Sequence, residues 1–83
     1  MKSFREICRE NNIQKHSSVV ATVNGYCEDG TYAVVEGCGL ETVYNGSTQK
    51  LGCKVLLTVD SIKEDSKLIY ATFEHSFADD RAA

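Results

Sequence analysis

Val19-Val20-Ala21-Thr22-Val23 and Thr31-Tyr32-Ala33-Val34-Val35, joined through Glu28-Asp29-Gly30, decide how this chain folds. Both runs are rich in β-branched residues, and the acidic-glycine turn between them is of hairpin type, so they predict two antiparallel strands. Outward from this hairpin the pattern repeats. Gly37-Cys38-Gly39 marks a second reversal, where glycine accepts a positive φ without steric cost, and Leu40 to Tyr44 follows as a third strand ended by Asn45-Gly46. Lys54 to Val59 and Lys67 to Phe73 supply a fourth and a fifth strand, linked by the polar segment Asp60 to Ser66. Five short strands at this spacing favour a closed barrel, because closure removes the edges that a small antiparallel sheet leaves unpaired.

Ahead of the strands, Ser3 and Glu6 have capping-box spacing, so a helix is expected to start there. Phe4, Ile7 and Cys8 then share one face, while Lys2, Arg5, Arg9 and Glu10 point away. That apolar face needs cover and is expected to plug one end of the barrel. Asn11-Asn12 ends the helix, and Ile13 extends the apolar contact before the polar stretch Gln14 to Ser18. The expected fold class is therefore mainly β, a small five-stranded barrel with one N-terminal helix. One domain is expected over residues 1–77, with residues 78–83 as a flexible tail.

The 83 residues fit one domain, and a chain of this size buries only roughly 60% of the surface its unfolded form exposes. With 42% hydrophobic and 25% charged residues the composition is that of a globular protein, and no apolar run approaches the length of a membrane helix. The first 15 residues lack the continuous apolar stretch of a secretory signal, which makes a cytoplasmic location the default expectation. Asn45-Gly46-Ser47 fits a glycosylation acceptor, but outside the secretory path it is a turn. Cys8, Cys27, Cys38 and Cys53 lie in separate elements, and no two have the close spacing at which one turn offers two thiolates to zinc. Free, largely packed thiols are the expectation; two disulfides are the alternative, and they require an oxidising compartment.

Nothing points to catalysis. His16 and His75 lie near opposite ends of the chain without cysteine or carboxylate partners at ligand spacing, apart from Glu74 beside His75. Phosphate loops, nucleophile elbows, zinc-protease helices and EF-hand loops are missing from the sequence, and most carboxylates fall in turns where solvation explains them. The expectation is a binding module with no enzyme activity, no metal and no cofactor.

A resemblance sharpens that expectation. Val20 to Val23, Asp29-Gly30-Thr31-Tyr32-Ala33-Val34, Leu40 to Ser47, Leu51-Gly52-Cys53-Lys54-Val55 and Lys67-Leu68-Ile69 occur in the order seen in the S-one-type OB domain of ribosomal and RNA-processing proteins. The chain resembles that family over about two thirds of its length, and is similar also to a minimal translation initiation factor of the same fold. Gly30-Thr31-Tyr32-Ala33-Val34 looks like the family's second strand, and Gly52-Cys53-Lys54-Val55 like its Gly-Asp-Lys-Val entrance to the fourth. The resemblance implies an OB-like barrel that lays single-stranded RNA across its second and third strands, with bases stacked on aromatic rings and phosphates met by basic side chains. On that basis Tyr32 matches the family's second stacking aromatic, Asn45 stands at its third-strand histidine position, Asp60 at its acidic position and Lys67 at the basic residue opening the last strand. Lys54 joins Lys67 as a phosphate contact, the two opening neighbouring strands. Two departures stand out. Asp29 occupies the place of the family's first stacking aromatic, and Ser47 to Leu51 is much shorter than the usual connection.

Charge pulls the other way. The formal net charge is −3 and the sequence pI about 5.2, where nucleic-acid modules usually carry a basic surplus. A protein-interaction module is the alternative: Glu28, Asp29, Glu36 and Glu41, with Glu64 and Asp65, would meet a basic partner protein.

Overall fold

The computed structural model describes residues 2–46 and 49–77, and these form a closed five-stranded barrel with one short helix in front of it. In chain order the elements are α1 (Phe4–Glu10), β1 (Ser18–Cys27), β2 (Gly30–Val35), β3 (Glu41–Asn45), β4 (Lys54–Lys63) and β5 (Leu68–Ser76). Round the barrel the order is β1-β2-β3-β5-β4, and β4 returns to β1 to close it. Every pairing is antiparallel except β3 with β5, which run parallel. This topology is compatible with an OB-like fold.

The interior follows from strand alternation. Ala21 and Val23 on β1, Ala33 and Val35 on β2, Val55, Leu57 and Val59 on β4, and Ile69 and Ala71 on β5 all point inward and are buried. Thr42 also points inward, and its hydroxyl donates to the Ile69 carbonyl at 2.9 Å, so this buried polar group is satisfied across the β3–β5 pair. At the other end of β3, Tyr44 is 1% exposed and stacks on Phe73 with ring centroids 5.8 Å apart.

Helix α1 begins as expected: Ser3 Oγ accepts from the Glu6 amide at 3.2 Å. It ends at Asn11, and Asn12 turns the chain with a φ of 57°. Phe4, Cys8 and Ile13 are buried in the same cluster as the barrel interior, so the helix covers the end bounded by residues 36–40 and 64–67. Arg5 fastens it there with a bidentate pair to Glu64, at 2.7 and 2.9 Å.

All five strands keep their place but shift at their ends from the sequence expectation, β2 and β3 by one residue and the others further. β1 runs on to Cys27 through an irregularity between Val23 and Gly25. β4 does not stop at Val59 but continues through Asp60 to Lys63, because a bulge between Val59 and Ser61 absorbs one residue and returns Ile62 to the inside opposite Ile69. The link is therefore only Glu64 to Lys67, and Lys67, expected to open β5, sits in this turn with a φ of 55°. β5 starts at Leu68 and extends to Ser76. All four cysteines are free thiols, with Cys8 buried and Cys27 exposed. The expected tail at 78–83, and Ser47 of the acceptor tripeptide, lie outside the described residues. No described helix is long and apolar enough to cross a membrane.

Candidate nucleic-acid interface

The residues that alternate outward on β2, β3 and β5 build one continuous surface. With Thr31 and Ala33 buried inside, Tyr32 faces out; with Ile69 and Ala71 inside, so does Tyr70. Val43 pairs with Tyr32 on one side and with Tyr70 on the other. It belongs to the outer row, between the inward Thr42 and Tyr44, yet is only 4% exposed and lies outside the core cluster. Side chains on the outer surface must therefore cover it. Its register neighbours place a tyrosine on each flank, and strands about 4.8 Å apart set the two tyrosine backbones about 10 Å from each other. The row continues to Gly25 on β1 and Ser61 on β4, both small, so the aromatic pair stands clear at its outer sides.

Polar groups border this platform. Glu41, at the start of β3, raises the pKa of the Tyr32 phenol above its ordinary value, chiefly through hydrogen bonding, with smaller contributions from burial and from the negative charge itself. One row beyond Val43, exposed Asn45 pairs with Thr72 on β5. Thr72 Oγ1 donates to Asp60 Oδ2 at 2.6 Å, and beside it Thr58 Oγ1 donates to Glu74 Oε2 at 2.7 Å. The bulge after Val59 is what puts Asp60 within reach of β5.

Tyr32, Asn45 and Asp60 thus share one face. Lys67 lies at its lower edge, lining a depression with Glu41, Leu40 and the helix residues Phe4 and Ile7. Lys54 is elsewhere: it opens β4 opposite Thr22, two strands round the barrel from β2, and its ammonium pairs with Glu36 at 2.8 Å. Because β4 and β5 are antiparallel, the starts of these strands fall at opposite ends, so Lys54 and Lys67 do not form a joint phosphate contact. The hydrogen bond and charge of Glu36 hold the Lys54 pKa above its usual value.

The acidic residues are likewise divided. Glu28 and Asp29 sit exposed in the β1–β2 turn, whereas Glu36 and Glu41 lie at the other end of β2, and Glu64 is engaged by Arg5. Tyr70 was not among the residues the sequence singled out for binding, although the alternation of Ile69-Tyr70-Ala71 already turns it outward. His75 edges onto Phe77 at 5.0 Å, away from the tyrosine row, and no group of three or more potential metal ligands occurs among the described residues.

No protein-family model and no curated protein matches the chain.

Proposed function

We propose that this protein is a small non-catalytic module that binds single-stranded RNA on the outward face of β2, β3 and β5. The observation that carries the reading is the register of Tyr32 and Tyr70 on either side of buried Val43. Two aromatic rings beside a dry apolar centre offer flat surfaces to unstacked bases, and stacking of this kind contributes about 1 to 3 kcal/mol per base. The resemblance to the S-one-type OB domain favours the same face, since Tyr32 and Asn45 occupy matching positions. Lys67 at the lower edge and Lys63, which shares a shallow depression with Tyr70, are cations that a strand laid there could meet.

The test is fluorescence anisotropy of labelled RNA oligonucleotides against wild type and Tyr32→Ala. The substitution is expected to weaken binding about 5- to 150-fold in a protein that stays folded, because Tyr32 faces outward from the core, although the unfolding midpoint falls somewhat as Val43 loses cover. Unchanged affinity in a folded variant would reject the stacking role.

A basic protein partner is the second reading, favoured by the pairing of Lys54 with Glu36 and the net charge of −3. In that case Glu28→Lys with Asp29→Lys weakens capture of a basic polypeptide, and no RNA binds at any salt concentration.

A further inference from the structure

The hydroxyls of this face are spent on its carboxylates. Thr72 donates to Asp60 at 2.6 Å, Thr58 donates to Glu74 at 2.7 Å, and Glu41 stands diagonally across the β2–β3 pair from Tyr32. Each hydroxyl has one proton to give, so neither threonine has a donor left for a ligand. Each carboxylate has two oxygens and about four acceptor sites, of which these contacts use one. Thr72 also fixes Asp60 in place against β5 beside the Tyr70 row, and the β2–β3 register sets Glu41 at the edge of Tyr32. What borders the two rings is therefore a set of positioned acceptors, with Asn45 the polar side chain that still offers N–H groups.

Resting on the RNA-binding reading, we propose that this face selects bases bearing an exocyclic amino group (adenine, cytosine and guanine) over uracil, with Asp60 and Glu41 as the specificity-determining residues. A base stacked on Tyr70 or Tyr32 turns its edge toward these carboxylates. Adenine and cytosine present an amino group there, and a carboxylate accepting from the cytosine amine is an established pairing in base recognition. Uracil instead presents carbonyl oxygens on both sides of a single N–H. Two acceptors facing each other repel, and a carboxylate desolvated against a carbonyl loses water without a replacement. The same border explains how an acidic protein could hold RNA. Base edges meet the carboxylates while the phosphates lie outside them, toward Lys63 and Lys67.

The experiment compares labelled homopolymers of A, C and U, each of about 12 nucleotides, which suits one barrel. Anisotropy is read for wild type, Asp60→Asn, Glu41→Gln and the double variant, with thermal melts to show that each is folded. Asn and Gln keep the shape and supply an amide donor where there was an acceptor. The expected result is that A and C oligomers bind wild type at least about fivefold more tightly than U, the lower end of the discrimination one good base contact provides. The double variant should narrow that ratio mainly by gaining affinity for U. Equal binding of all three oligomers, or a preference for U, overturns the selectivity while leaving RNA binding in place. A preference that survives in the folded double variant removes its assignment to Asp60 and Glu41. No binding of any oligomer rejects the RNA reading itself, and the selectivity with it.

Discussion

Gly30→Ala probes the joint that holds the platform in register. Gly30 opens β2 with a φ of +147°, and a Cβ built on it would lie 2.3 Å from the Tyr44 carbonyl oxygen on β3 and 3.3 Å from Asn45 Oδ1. Side chains rarely enter that backbone region, and a left-handed residue costs about 1 to 2 kcal/mol. The contact adds to this. Moving the carbonyl from 2.3 Å to the 3.0 Å that real Cβ atoms respect needs a shift of 3.0 − 2.3 = 0.7 Å, imposed on backbone where Thr31 pairs with Tyr44. Losing or bending one ladder hydrogen bond costs about 1 kcal/mol more, and the stiffer unfolded chain returns up to about 1 kcal/mol. The net loss is about 2 kcal/mol, a large part of the 5 to 15 kcal/mol available to a typical domain. With a urea slope of about 1 kcal/mol/M for so small a protein, the midpoint should fall by about 2 M. Two further variants divide the cost. Gly52→Ala, at a φ of +84° with open space around it, should lose only the conformational part, and Gly25→Ala, also in open space, should be close to neutral. If Gly30→Ala proves as mild as Gly52→Ala, the chain relieves the Tyr44 contact without disturbing β2 and β3, and the reasoning fails.

Thiol labelling of the folded protein should modify Cys27 first, because it is exposed, and Cys8 last, because burial shields it and raises its pKa; rapid modification of Cys8 before unfolding would contradict its packing under the helix. Hydrogen bonding to Arg5 lowers the Glu64 pKa, so this exposed pair stabilises the fold above the unfolded carboxyl value of about 4.3 and loses its effect as pH falls through the lower folded value. Glu64→Gln should therefore be the less stable protein at neutral pH and should converge with wild type in acid, as read by urea midpoints; a gap that persists in acid would exclude the ion pair as its source. RNA affinity should fall only gently with salt: with Lys63 and Lys67 as the two phosphate contacts, the slope of log K against log salt is about −1.4, and a slope beyond about −3 would show a basic surface elsewhere.

Most of the barrel was readable because its strands keep a period of two. Val55, Leu57 and Val59 alternate without interruption, and Ser3 with Glu6 announces the helix that the hydrogen bond at Ser3 Oγ then starts. Reading failed where the period breaks. The extra residue at Asp60 puts Val59 and Ile62 three apart, so the end of β4 looks like a loop although Ile62 returns to the core. Asn24 and Gly25 hide the second half of β1 for the same reason. The parallel neighbours β3 and β5 carry no local signal at all, since 22 residues separate Asn45 from Leu68 and only closure of the barrel brings these strands together.

The site was legible to the same extent. A single strand is enough to turn Tyr32 outward, and the resemblance pointed to it, but a platform needs two more strands in register. Tyr70 and Val43 enter only through the β3–β5 pairing, which no local pattern announces. The bulge that obscured β4 is also the device that brings Asp60 to Thr72, so the least readable stretch of the chain supplies a polar border of the face. Charge read along the sequence misleads for a related reason. Lys54 counts as a cation and Glu36 as an anion in the total of −3, but they neutralise each other at the end of β4 opposite Thr22, far along the strands from the row of Tyr70 and Ser61. What a ligand meets on the platform is set by the local pairings of Thr58 and Thr72 with their carboxylates and by Glu41 beside Tyr32. An acidic total is therefore compatible with RNA binding if contact is made through base faces and edges, and incompatible with it if contact depends on phosphate.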